Sequence, residues 1–240
     1  MLEVEDREYE KDINDFWGSH WKESLNGLDI TDTVTPFKFK YFLKPFLDRL
    51  EINSSVCEVG SGNCQWLLLI KAYRPDLELH GIDLSDEAVV IGKRYGINVI
   101  KADTRDIPIK SDFFDFVFSW GVIEHMPEFE QAFKEHYRIS KKFLSLDVPC
   151  IESYPGWRQR KKMISDGMTE YEMMIESGKF FTKKEFRDLV RNVVSEDKDE
   201  YLVMNNYVSL PFRLLFLERY LPDWIRKLTG HNIGVVIEKT

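Results

Sequence analysis

The chain has 240 residues, 43% of them hydrophobic and 31% charged, with a formal net charge of −8. That length and mixture fit one soluble globular domain over residues 1–240 with a large core. The acidic balance argues against a general nucleic-acid or anionic-membrane binder and leaves only local basic patches such as Arg158-Gln159-Arg160-Lys161-Lys162.

The first stretch, Tyr9 to Trp21, is charged but holds Tyr9, Phe16, Trp17 and Trp21, too aromatic for a disordered tail. It reads as a helix on the core edge or as a lid over a ligand, so residues 1–50 form an N-terminal helical lid or edge. Its opening run is acidic and has no apolar signal region. No apolar stretch reaches the ~18 residues that span a bilayer. Cys57, Cys64 and Cys150 form no Cys-x-x-Cys pair, which suits a reducing compartment and neither a disulfide framework nor a metal site. The expected location is cytoplasmic. Phe39, Phe42, Leu43, Phe46, Leu47 and Leu50 recur at helical spacing.

From Ser55 onward, strand-length apolar runs alternate with helical ones. Strands are predicted at 55–59, 77–82, 98–102, 114–119 and 143–148, with helices at 65–73, 86–95 and 128–139. Thr182-Lys183-Lys184-Glu185 resembles a capping box opening a helix to about Val193. Tyr201 to Val208 and Ile233 to Glu238 read as two final strands. The alternation indicates βαβ units, hence an α/β, doubly wound, mostly parallel sheet with helices on both faces. In such sheets ligands bind beyond the carboxyl ends of the strands. Two insertions, 150–180 and 209–231, fall near that end or at the sheet edge.

The residues just after each strand therefore matter most. Val59-Gly60-Ser61-Gly62 takes a strand into a tight turn whose bare backbone lets a ligand approach closely. Gln65 stands where a dinucleotide fingerprint has its third glycine. Glu58 ends the first strand, where a carboxylate is unwelcome beside a pyrophosphate but suits a cationic group. Asp83 closes the second strand, where an acid accepts from both ribose hydroxyls. Together these select a ligand with a ribose and a positive charge but no phosphate. Each residue also has a plainer reading. Glu58 could form an ion pair with a lysine, Asp83 a helix cap (although Ser85 is better placed), and Asp103 only a turn. Cys64 reads as a small packed residue.

The runs Glu58-Val59-Gly60-Ser61-Gly62, Gly81-Ile82-Asp83-Leu84-Ser85, Ala102-Asp103-Thr104 and Phe114 to His125 resemble the class I S-adenosylmethionine (SAM)-dependent methyltransferases. The similarity is greatest to the small-molecule branch with the ubiquinone and sterol-type enzymes, and it covers roughly Ser55 to Pro149. It implies a Rossmann-like, seven-stranded sheet with an antiparallel last strand. It also implies SAM as cofactor, S-adenosylhomocysteine (SAH) as product and a small-molecule acceptor methylated by in-line displacement. Gly60, Ser61 and Gly62 would approach the methionine part, with Glu58 beside them. Asp83 would hold the ribose, and Leu84 would pack on the adenine. Asp103 would accept from the adenine N6 amine, with Thr104 beside it. Ser119 and Trp120 would line the far side of the pocket.

His125 follows the fourth strand and reads as a general base or as a residue that shapes the pocket. Trp17, Trp21 and Trp120 offer faces to a cation. Tyr154, Trp157 and the methionines after Cys150 favour an apolar or flat acceptor, while Arg158, Arg160, Lys161 and Lys162 suit an anionic group. The run Phe212 to Leu228 reads as a packed insert, or as an amphipathic helix against lipid or a partner. Other readings are a SAM-binding scaffold without turnover and an NAD-dependent oxidoreductase. Nucleic acid is not expected as a partner, since Ser119-Trp120-Gly121-Val122 stands where a base-flipping tetrapeptide would.

Overall fold

The computed structural model describes residues 11–12, 15–19, 38–194, 199–206, 217 and 220–240. The predicted aromatics Tyr9 and Trp21, together with residues 209–216, 218 and 219 of the 209–231 insertion, lie outside the described residues. The strands are β1 (Ser55–Val59), β2 (Glu78–Asp83), β3 (Asn98–Lys101), β4 (Phe114–Trp120), β5 (Ser140–Pro149), β6 (Glu200–Asn206) and β7 (Asn232–Glu238). They form one seven-stranded sheet in the order β3-β2-β1-β4-β5-β7-β6. β1 to β5 run parallel, whereas β7 inserts antiparallel between β5 and β6. The expected architecture is the observed one, and strand order reverses between β1 and β4.

A wide helical turn, Phe39–Leu43, leads into α1 (Lys44–Leu47). The crossovers carry α2 (Gln65–Tyr73), α3 (Asp86–Tyr95) and α4 (Phe129–Ile139). After β5 come α5 (Tyr154–Ser165), α6 (Glu170–Ser177) and α7 (Lys183–Val193), and α8 (Asp223–Thr229) precedes β7. Local chemistry fixes several helix starts. Ser85 caps α3 by accepting from the Ala88 N–H, and Thr182 and Glu185 form the anticipated capping box of α7. An equivalent box, Thr169 with Glu172, opens α6, and Ser153 caps α5 with a proline in its first turn.

Alternation along the strands builds two cores. Cys57, Val59, Val117 and Leu144 face Phe133, Phe186 and Leu189 on one side. Val56, Phe116, Phe118 and Phe143 face Phe46, Leu67 and Ile91 on the other. A sheet covered on both faces needs apolar residues at nearly every strand position. Three carboxylates, Glu58, Asp83 and Asp147, stand out because they are buried in these strands.

The antiparallel β7 has a positional consequence. Its first residue, Asn232, pairs with Pro149 at the end of β5 and with Asn206 at the end of β6. Both insertions therefore leave the sheet at the carboxyl ends of β1 to β5, and no helix among the described residues is long and apolar enough to cross a membrane.

Candidate functional site

A cavity of about 450 Å³ opens at that end, beside the switch in strand order, a volume that suits a small ligand. The turn after β1 forms its near wall. Gly60 has φ +76°, and a Cβ there would lie 2.2 Å from the Val122 side chain, so only glycine fits. The Gly60 and Ser61 N–H groups donate to the Ile82 carbonyl at 2.7 and 3.1 Å. The Gly62 N–H donates to Asp83 Oδ2 at 2.8 Å. Asp83 Oδ1 accepts from the Ser85 N–H and hydroxyl at 2.9 and 2.8 Å. Asp83 thus ties the β1 turn to the start of α3, while the capping duty falls to Ser85. Burial pushes the Asp83 pKa up, and these hydrogen bonds oppose the rise. A pyrophosphate in this turn would find the Gly62 amide committed to a carboxylate.

Glu58 lies in the same wall, 6% exposed. The Leu67 N–H donates to its carboxylate. Its Oε2 is buried and has no hydrogen-bond partner among the described residues. Burial, and then the charge of Asp83, push its pKa well above the usual carboxylate range. The alternative of an ion pair with a lysine is not seen among the described residues: Lys38, whose charge slightly opposes the rise, is bound to Asp147 at 2.7 Å, with both side chains buried. An unsatisfied buried carboxyl oxygen costs free energy that a cationic donor entering the cavity would recover.

Leu84, Asp103, Thr104 and Trp120 also line the cavity. Asp103 accepts from the Arg105 N–H at 2.8 Å in a tight turn, and Arg105 Nη2 reaches it at 2.7 Å. The turn reading and the lining reading of Asp103 therefore coexist. Arg105 itself lines the cavity and binds Glu128 at 3.0 Å, a contact the sequence reading missed. Trp120 Nε1 donates to Ser145 Oγ at 3.2 Å, Lys38 Nζ lies 4.8 Å from its ring centroid, and Trp66 meets it edge-on at 4.7 Å. Two expected lining residues stand behind the wall. Gly62 turns its amide to Asp83, and Ser119 is on the opposite face of β4 from Trp120, 1% exposed. Alternation along β4 makes those neighbours mutually exclusive as lining residues.

The far half of the cavity is built by the turn after β4 and the helices that follow β5. His125 Nδ1 lies 3.0 Å from the Met174 carbonyl and 3.2 Å from that of Ile175, at the end of α6. Carbonyls only accept, so Nδ1 carries the proton and Nε2 keeps its lone pair. Burial lowers the His125 pKa to about 4, so the ring is neutral at ordinary pH. Trp17 packs edge-on against it at 5.1 Å. Gln159 of α5, Glu176 and Ser177 of α6, and His231 complete this half. Gln159 Nε2 donates to Ser177 Oγ at 3.0 Å. None of these last four was anticipated. The Ser/Thr-x-x-Glu signature at Thr169 marked α6 in the sequence and could have placed Glu176 and Ser177 at its end.

The residues expected to bind an acceptor lie elsewhere. Tyr154 and Trp157 are 48% and 49% exposed and do not line the cavity. Arg160 pairs with Glu170, Lys162 with Asp166, and Lys161 lies over the Trp157 ring. On α5 it is Gln159, rather than the basic residues, that lines the cavity. Trp224 and Leu228 of α8 are exposed, so the packed-insert reading of that segment does not hold for these two side chains.

Residues 57–142 match the family described as "Methyltransferase domain". Over 149 residues the chain is 24% identical to the demethylmenaquinone methyltransferase of Listeria welshimeri, a match covering 57% of this chain. The chain spans about 60% of the length of the curated relatives it matches first. Among solved structures, a SAM-dependent methyltransferase from Thermotoga maritima aligns at 22% identity, covering 82% of this chain and 87% of its own, with a TM-score of 0.57. The plantazolicin methyltransferase BamL, solved with a triazolic desmethylPZN analogue and SAH, aligns at 15% identity over 100% of this chain and 99% of its own, with a TM-score of 0.62. These likenesses establish the shared fold.

Proposed function

We propose that the chain, whose residues 57–142 match a methyltransferase domain, is a SAM-dependent methyltransferase that transfers a methyl group to a small-molecule acceptor. The observation that carries this reading is Glu58, which lines the cavity together with Asp83 and whose buried Oε2 has no hydrogen-bond partner among the described residues. That pair suits a ligand with an ammonium group and a ribose, and it disfavours a dinucleotide. Glu58 would hold the ammonium, Asp83 the ribose hydroxyls and Asp103 the adenine amine. Leu84 would pack on the adenine, and the bare backbone at Gly60 and Ser61 would let the ligand lie close. When bound, SAM supplies a sulfonium-activated methyl group, open to displacement by a nucleophile in line with the carbon–sulfur bond.

The chain's own task is then to orient the acceptor and exclude water, and positioning alone can remove much of a barrier. His125 Nε2 would accept the nucleophile's N–H or O–H. Its low proton affinity favours orientation through that hydrogen bond over complete removal of the proton.

Thermal melting with SAH tests the reading. Ligand at about 100 times its Kd should stabilise the protein by roughly 2.7 kcal/mol. Asp83→Ala is expected to lose that shift, and NAD should give none. A full shift in the Asp83 variant, or no shift with SAH in the parent, would refute the proposal. Transfer of labelled methyl from SAM separates an enzyme from a SAM-binding scaffold without turnover.

A further inference from the structure

Resting on the SAM reading above, we infer that the methyl acceptor is an amine, delivered as its ammonium to Glu176 and methylated on nitrogen. The inference comes from charge and its placement. Among the described lining residues the acids are Glu58, Asp83, Asp103 and Glu176, and the single cation is Arg105. Arg105 sits at the Asp103 end and is bound to both Asp103 and Glu128. The far half has Glu176 as its one formal charge among the described lining residues, beside Trp17, His125, Gln159, Ser177 and His231. Both histidines are held neutral, with pKa values lowered to about 4 by burial. Two cations lie near this half but outside the wall: Lys162, which senses Glu176 and is bound to Asp166, and Lys38, whose charge reaches His231 and which is neutralised by Asp147 at 2.7 Å.

A carboxylate or phosphate acceptor would enter this half with no positive partner and one negative neighbour. An ammonium finds the Glu176 carboxylate and the face of Trp17, whose quadrupole attracts a cation. Glu176 is exposed, so it stands where the cavity meets water.

The step balances without a strong base. The incoming ammonium loses one proton to water at the mouth, leaving a neutral amine whose lone pair forms the new nitrogen–carbon bond. The methyl–sulfur bond breaks, and its electron pair stays on sulfur. The product leaves as a methylated ammonium. His125 Nε2 accepts one N–H of the amine and aims its lone pair, a task that suits a weakly basic ring.

SAH formation from SAM would be measured with butylamine, phenethylamine and 2-(indol-3-yl)ethylamine, and with the carboxylate and alcohol of each skeleton. Turnover is expected with amines and not with their carboxylates. Glu176→Gln should raise KM for the amine about tenfold while kcat changes far less, the pattern of a lost binding contact. Glu176→Lys should reverse the preference towards the carboxylates. SAH-induced melting shifts in both variants report that they fold and keep the cofactor half. Turnover only with carboxylates or alcohols, an unchanged amine KM in Glu176→Gln, or no amine turnover despite a full SAH shift would each overturn the inference and leave the SAM reading standing. Absence of any SAH shift in the parent would instead remove the SAM reading.

Discussion

Glu124 shows how a single residue sets part of the pH response. It lies in the turn after β4, 2% exposed, with an Oε2 that has no hydrogen-bond partner among the described residues. Burial raises its pKa from 4.5 to about 8. Across that interval the folded chain holds a proton that the unfolded chain has released. Stability therefore falls as pH rises, by up to about 1.4 kcal/mol per pH unit from this group. Glu124→Gln keeps the shape and abolishes the titration. Its melting temperature should exceed the parent's at pH 8 and approach it at pH 5, as followed by circular dichroism. Equal differences at both pH values would contradict the assignment. His125 and His136 have the opposite sign. Their pKa values are lowered from 6.5 to about 4 and about 3, so the stability they contribute is complete above pH 6.5 and is lost as pH falls through those values.

At the scale of elements, α6 does more than cover the cavity. Its final carbonyls fix the His125 tautomer, and Gly178 just beyond it has φ +72° with no room for a side chain, since a Cβ would lie 2.2 Å from Glu124 Cγ. Gly178→Ala should therefore push the end of α6 away from the turn after β4. The expected result is a loss of turnover greater than the loss of SAH affinity, measured by label transfer and calorimetry on the same preparation. The elements that the sequence made legible were those governed by local rules. The Gly60 turn, the Ser85 cap and the alternation in β4 are written in adjacent residues, and so were Glu58 and Asp83. In the far half, Trp17 and His125 were legible, but Gln159, Glu176, Ser177 and His231 were not, because they reach the cavity only through tertiary packing. The basic run of α5 misled for the same reason, since composition cannot say which side of a helix faces inward.

For the molecule as a whole, one buried ion pair joins chain segments far apart in sequence. Lys38, just before the wide helical turn Phe39–Leu43, meets Asp147 near the end of β5, and Asn232 Nδ2 at the start of β7 donates to the same carboxylate at 3.0 Å. Lys38→Met would leave a carboxylate of 0% exposure without its ammonium, a change that typically costs about 3–5 kcal/mol. Urea unfolding should show that loss as a lower midpoint with an unchanged slope. The placement of the two insertions carries a practical corollary. Among the described residues both insertions leave the sheet at one pole, while the opposite pole, where β1, β2 and β3 begin, has plain short turns at Ile52, Asp76 and Gly96. A dye or surface tether attached at exposed Ile52 would report on or immobilise the protein while leaving traffic through the cavity mouth unobstructed.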